Sequence, residues 1–137
     1  MTATKIDPAR IWSLSYRLVS GVITSVTPQL AELGLEAKEL IVLREIDAHP
    51  HPAALAAQLC IPRPTITFYV KRMEAAGFVK RAVDTEDLRR HRLTLTASGR
   101  KVLAKGDAVL SDAFEQRLGS LSASEQTSLE GLLEKMS

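Results

Sequence analysis

The 137-residue sequence predicts a mainly α fold carrying one small β-hairpin, and three patterns lead to it. Apolar residues recur at three- and four-residue intervals over most of the chain, the spacing of a helix with one buried face. Prolines and glycines cut these stretches into separate segments. Only between Phe78 and Thr96 does the period shorten to two, the mark of half-buried strands. With 45% apolar and 25% charged residues, the chain has the balance of one that buries a core.

The first helix opens at Asp7, an N-cap, with Pro8 at the first helical position. Ile11, Leu14, Leu18, Val22, Val26 and Leu30 form its apolar stripe. Pro28 lacks the amide that the helical ladder needs, so a kink or an end is expected there, and Gly34 closes the segment. A second helix is expected over 36–47, burying Leu40, Leu43 and Ile46, until His49-Pro50-His51-Pro52 breaks it. A short helix over 52–59 turns Leu55, Ala56 and Leu59 inward, and a tight turn over 60–63 follows. Pro64 opens the next helix, which runs to about residue 76, with Gly77 at a left-handed cap position. Strands are expected over 78–83 and 92–96, joined by a polar tip over 84–91. Thr96 or Ser98 caps a long helix to about residue 118, and Ser122 with Glu125 forms a capping box for the last. A helix-turn-helix followed at once by a hairpin is the winged-helix arrangement. It occupies 36–99, flanked by dimerisation helices over 7–34 and 100–137, in a single chain of 1–137.

Composition excludes several classes of function. No stretch approaches the roughly 20 apolar residues that cross a bilayer, and residues 1–7 lack the order of a secretory signal. A cytoplasmic protein without a membrane partner is expected. Cys60 is the single cysteine, which rules out an intrachain disulfide and a thiolate zinc cluster within one chain. Between Leu59 and Ile61 it is expected to be a buried, unreactive thiol. His49, His51 and His91 match no zinc spacing, so no metal or other cofactor is expected. Neither a nucleophile elbow nor a phosphate loop is present, nor a paired-carboxylate constellation, and an enzyme is not expected.

Charge is distributed unevenly. Between Arg63 and Lys105 eleven basic residues face four acidic ones, a net of +7, while the rest of the chain nets −5. Such asymmetry suits a face that meets a polyanion.

Residues 53–99 closely resemble the MarR family of transcriptional regulators. The resemblance rests on Leu55, Ala56 and Thr67 in the helix-turn-helix, on Asp84, Asp87 and Arg89 in the hairpin, and on Leu95 to Gly99 after it. It implies a sequence-specific DNA-binding regulator, a repressor, that reads a pseudo-palindromic operator on double-stranded DNA as a homodimer. Recognition helices meet base edges through their N-terminal residues, which makes Arg63, Pro64, Thr65, Thr67, Phe68 and Arg72 the candidate reading group. Arg63 can grip a guanine by two bonds and Thr65 can meet a base or phosphate. Phe68 either packs on a thymine methyl or turns into the core beside Val70. Tyr69 and Lys71 are expected at the DNA backbone, with Ile66, Val70 and Met73 in the core. The family likeness places Arg89 in the minor groove, where a narrow groove concentrates negative potential. Arg90 and Arg92 are candidates for phosphate contacts, while Asp84 and Asp87 hold the hairpin and its arginines by charge-assisted bonds.

One recognition helix reads too few base pairs for useful specificity, so a dimer with its helices about 34 Å apart is expected. Leu14, Leu18, Leu118, Leu121, Leu129, Leu132 and Leu133 are candidates for the seam. The resemblance also implies release of DNA by a small, often aromatic, effector. Trp12, Tyr16 and Arg17 are candidate ligand-binding residues, with ordinary packing as the other reading of the two aromatics. A winged-helix module for protein assembly is the alternative function, and Arg63, Arg72 and Arg89 argue against it.

Overall fold

Residues 5–137 are described by a computed structural model, in which α-helices begin at side-chain caps or, twice, with a proline in the first turn in place of one. The order is α1 (Pro8–Glu32), α2 (Ala37–Glu45), α3 (Pro52–Leu59), α4 (Arg63–Ala75), β1 (Val79–Val83), β2 (His91–Leu95), α5 (Ala97–Leu118) and α6 (Ala123–Met136). The chain divides into two compact units. A central unit spans Thr27–Ala108, and a terminal unit combines residues up to Val26 with Val109–Ser137.

The central unit carries the helix-turn-helix and hairpin. Its core contains Leu30, Leu40, Leu43, Ile46, Leu55, Ile66 and Met73, all fully buried. Glu39 anchors the start of α2 by accepting the Glu36 amide at 2.9 Å. Cys60 ends α3 in the left-handed region (φ 53°, ψ 38°), and its amide donates to the Ala56 carbonyl. At the end of α4, Gly77 takes φ +83°. There the Gly77 amide donates to Glu74 and the Phe78 amide to Met73, a paired closure that only a left-handed residue permits. The two strands are antiparallel, with Val79 opposite Leu95 and Val83 opposite His91. The Leu93 amide donates to the Pro50 carbonyl at 2.7 Å, so the segment before α3 lies along β2.

Thr96 fixes the start of α5. Its Oγ1 accepts the Gly99 amide at 2.9 Å and donates to the Gly77 carbonyl at 2.6 Å. Gly99 is buried there, and a Cβ on it would overlap the carbonyl oxygen of Phe78.

In the terminal unit, Asp7 Oδ1 accepts the amides of Ala9 and Arg10, the expected cap of α1. Ser122 and Glu125 form the expected capping box of α6. Among the described residues of this unit, Val22 and Val26 are the only buried apolar side chains, while Leu14, Leu132 and Leu133 stay 44%, 58% and 51% exposed. Leu18, Leu118, Leu121 and Leu129 are half-buried.

One expectation is corrected, and one of the two outcomes allowed at Pro28 is set aside. The α1 helix runs through Pro28 to Glu32 instead of ending there. One lost amide is outweighed by Val26 and Leu30, both buried on the opposite side of the ladder from the exposed proline ring. Cys60 is exposed, because its left-handed backbone projects the thiol outward while Leu59 and Ile61 take the half-buried positions. No single helix among the described residues is long and apolar enough to cross a membrane.

Candidate nucleic-acid interface

A turn of 100° per residue divides α4 into two faces. Ile66, Tyr69, Val70 and Met73 are buried on one. Pro64, Phe68, Lys71 and Arg72 are exposed on the other, with Arg63 exposed at its edge and Thr65 and Thr67 half-buried. Phe68 therefore takes the outward of its two readings, at 55% exposure. Tyr69 does not reach a surface contact. One residue further round the helix than Phe68, it falls on the core face, 8% exposed, and burial and the nearby Glu36 carboxylate raise its phenol above the usual range.

Arg72 is exposed but engaged. Its Nη1 donates to Glu36 Oε1 at 2.9 Å and its Nη2 lies 3.5 Å from Glu39 Oε1. The same guanidinium sits over the Phe68 ring, 5.5 Å from the centroid. Glu39 is buried and its carboxyl is raised by desolvation, against the lowering pull of the Glu36 amide and Arg72. Thr67 donates its hydroxyl hydrogen to the Arg63 carbonyl at 3.0 Å, which leaves its oxygen as an acceptor.

The hairpin tip is organised by its two aspartates, as expected. Asp84, 2% exposed, accepts the Glu86 amide on Oδ1 at 2.8 Å, and its own amide donates to the Arg90 carbonyl. Its Oδ2 lies 3.2 Å from His51 Nε2 and 3.3 Å from Arg90 Nη2, ion-pair distances without hydrogen-bond geometry. Asp87 Oδ1 accepts both the amide and Nε of Arg89, at 3.0 and 3.2 Å. Both carboxyls are held below the ordinary range, Asp84 chiefly by the Glu86 amide and Asp87 chiefly by the Arg89 amide. Arg89 keeps 91% of its side chain in solvent even so. Arg90 is shared between Asp84 and Asp87, and Arg92 is exposed on β2. The arrangement is a cationic tip whose backbone is fixed by two carboxylates, Asp84 buried and Asp87 half-buried.

The candidate ligand residues lie in the terminal unit. Trp12 and Tyr16 stack on each other at 5.7 Å and are 69% and 61% exposed, and Arg17 is exposed as well. A cavity of about 400 Å³ in that unit is lined by Phe114, Leu118, Gln126, Leu129 and Leu133, among others, and not by these three residues. No group of three or more His, Cys, Asp or Glu among the described residues is placed to hold a metal ion.

Comparison with known proteins agrees with this geometry. A family model described as the MarR family matches residues 35–91. The HTH-type transcriptional repressor Rv2887 of Mycobacterium tuberculosis is 30% identical over 132 residues, covering 95% of each chain. The chain belongs to the MarR family.

Solved MarR-family structures share the fold. BldR from Sulfolobus solfataricus superposes with a TM-score of 0.84 at 26% identity, covering 98% of both chains. A mutant of E. coli MarR complexed with operator DNA gives a TM-score of 0.78 at 22% identity, covering 93% of each. Rv2887 in complex with p-aminosalicylic acid gives 0.73 at 28% identity, covering 90% of this chain and 95% of that one.

Within this MarR-family regulator, two features of the site lay outside the sequence reading. The Glu36–Arg72–Glu39 cluster had a visible signal, since two glutamates three apart before Leu40 match a capping pattern. The contact of His51 with Asp84 joins residues 33 positions apart and has no local signature.

Proposed function

We propose that this MarR-family regulator binds a pseudo-palindromic operator as a homodimer, with α4 in the major groove and Arg89 in the adjacent minor groove. The winged helix-turn-helix over 36–99 is the reading part, and the helices over 7–34 and 100–137 form the dimerisation region. The carrying observation is the exposed cationic set of one compact unit. Arg63, Lys71, Arg89, Arg90 and Arg92 all reach solvent there, and the tip is braced from within by Asp84 and Asp87. Arg63 and Lys71 meet DNA from the helix, Thr65 and Thr67 assist as acceptors, and Arg90 and Arg92 neutralise phosphate.

Dimerisation is supported by the uncovered apolar side chains of the terminal unit, Leu14, Leu132 and Leu133 among them. The operator complex of E. coli MarR supports the DNA reading. The p-aminosalicylic acid complex of Rv2887 supports control by a small aromatic acid, with Trp12, Tyr16 and Arg17 as candidate contacts. Reversing a two-state balance from 1:99 to 99:1 requires about 5.5 kcal/mol of differential binding by such an effector. The protein acts in the cytoplasm by binding and not by catalysis.

Leu88, 79% exposed at the hairpin tip, favours the second reading, a module for protein assembly. Selection of fragments from a random DNA pool by the purified protein separates the two. The DNA reading predicts enriched sites with two half-sites about one helical turn apart. A pool that remains random after selection contradicts it.

A further inference from the structure

We propose that Phe68 reads a C5-methylated pyrimidine, a thymine in ordinary DNA, and that Arg72 is a positioning residue that holds the Phe68 ring instead of reading a base. The inference rests on the proposed seating of α4 in the major groove and adds the chemistry of one base contact.

An aromatic ring at 55% exposure needs a reason on a helix whose apolar face is already filled by Ile66, Tyr69, Val70 and Met73. Phe68 sits in the middle of the opposite face, one turn after Pro64 and beside Lys71. Its ring is not loose. The Arg72 guanidinium lies over it at 5.5 Å, and that guanidinium is tethered to Glu36 at 2.9 Å and to Glu39 at 3.5 Å. A buried carboxylate, Glu39, thus fixes a cation, and the cation fixes the ring.

The same contacts disqualify Arg72 as a guanine fork. Nη1 is hydrogen-bonded to Glu36 and Nη2 is held at ion-pair distance from Glu39, so the two nitrogens a guanine fork would use both face carboxylates. Phe68 has no donor or acceptor. Against guanine O6 and N7 or cytosine N4 it would strip water without replacing a bond, whereas the C5-methyl of thymine gains from apolar contact. Major-groove chemistry therefore leaves the methyl as the feature this ring can prefer. 5-Methylcytosine presents the same group.

Replacing each thymine of the selected site by uracil removes the methyl and keeps the pairing and the O4 acceptor. For the full-length wild-type protein, one such position in each half-site is expected to weaken binding roughly fifteenfold, about fourfold for each of the two buried methyls. Phe68→Ala should bind the thymine and uracil sites equally, and Phe68→Leu should retain part of the preference. At the same position, 5-methylcytosine should bind better than cytosine. Glu36→Gln should reduce the thymine preference while leaving the salt dependence unchanged. If no uracil position matters while the site is still selected, or if Phe68→Ala keeps the preference, the methyl assignment is overturned and the groove reading survives. Failure to select any site overturns both. A fall of about one in the salt slope on Arg72→Ala would make Arg72 a phosphate contact and overturn its positioning role.

Discussion

Nε2 of His51 lies 3.2 Å from Oδ2 of Asp84, and this pair joins the start of α3 to the point where the hairpin tip leaves β1. His51 Nδ1 faces the His91 carbonyl at 3.1 Å on the other side of the ring, and the preceding Pro50 carbonyl accepts the Leu93 amide. The hairpin is thereby anchored to the helix-turn-helix along β2 and at the first residue of its tip, while Arg89 further out stays in solvent. Asp84 is the centre of that anchor.

Because the folded protein holds the Asp84 carboxyl below its ordinary value, chiefly through the Glu86 amide, ionised Asp84 favours the folded state. That contribution is complete above the unfolded carboxyl value of about 4 and is lost as pH falls through the folded value. Urea unfolding of wild type and Asp84→Asn should therefore differ at pH 7 and converge as the pH drops below about 4. Equal stabilities at pH 7 would show that the anchor contributes nothing.

Arg89 lies outside any buried contact, so its removal should not unfold the chain. Arg89→Ala is expected to lower affinity for the selected site by roughly 1–3 kcal/mol, with the melting temperature unchanged. Fluorescence anisotropy alongside a thermal melt checks both halves. Unaltered affinity removes Arg89 from the interface.

Gly99 lets α5 start against the Phe78 backbone, and the neighbour that a Cβ would meet is a carbonyl that cannot swing aside. Gly99→Ala should destabilise the fold by about 1–3 kcal/mol or more. Gly131, with open space around it, is the control, since alanine there should stabilise a helix. Equal effects at the two positions would contradict the close approach at Phe78.

Leu132 and Leu133 leave more than half of their surfaces uncovered on α6. Replacing both by serine should change secondary structure little and raise the dimer dissociation constant on the order of ten- to a hundredfold, as read by sedimentation. An unchanged dimer would place the seam elsewhere.

The element order was legible because its signals are local. Asp7, Ser122 and Gly77 act through neighbours within a few residues, and the structure uses each as the spacing predicts. Asp84 and Asp87 were legible for the same reason, since their main partners are amides two residues on. Pro28 does not end α1 because the burial of Val26 and Leu30 outweighs a single missing donor. Cys60 was misread because apolar neighbours in sequence say nothing of a left-handed backbone that turns the thiol outward. Arg72 and Glu36 meet across 36 positions, a tertiary contact that no helical period encodes, and with it came the altered standing of Arg72.

The most direct test of DNA reading by this unit is a salt titration of the dimer on its selected operator and on a scrambled duplex of equal length. Sequence-specific reading predicts tighter binding to the operator at every salt concentration, and affinity that falls linearly in log salt for both duplexes, with a slope set by the phosphates neutralised. Equal affinity for the two duplexes, or binding indifferent to salt, would contradict it.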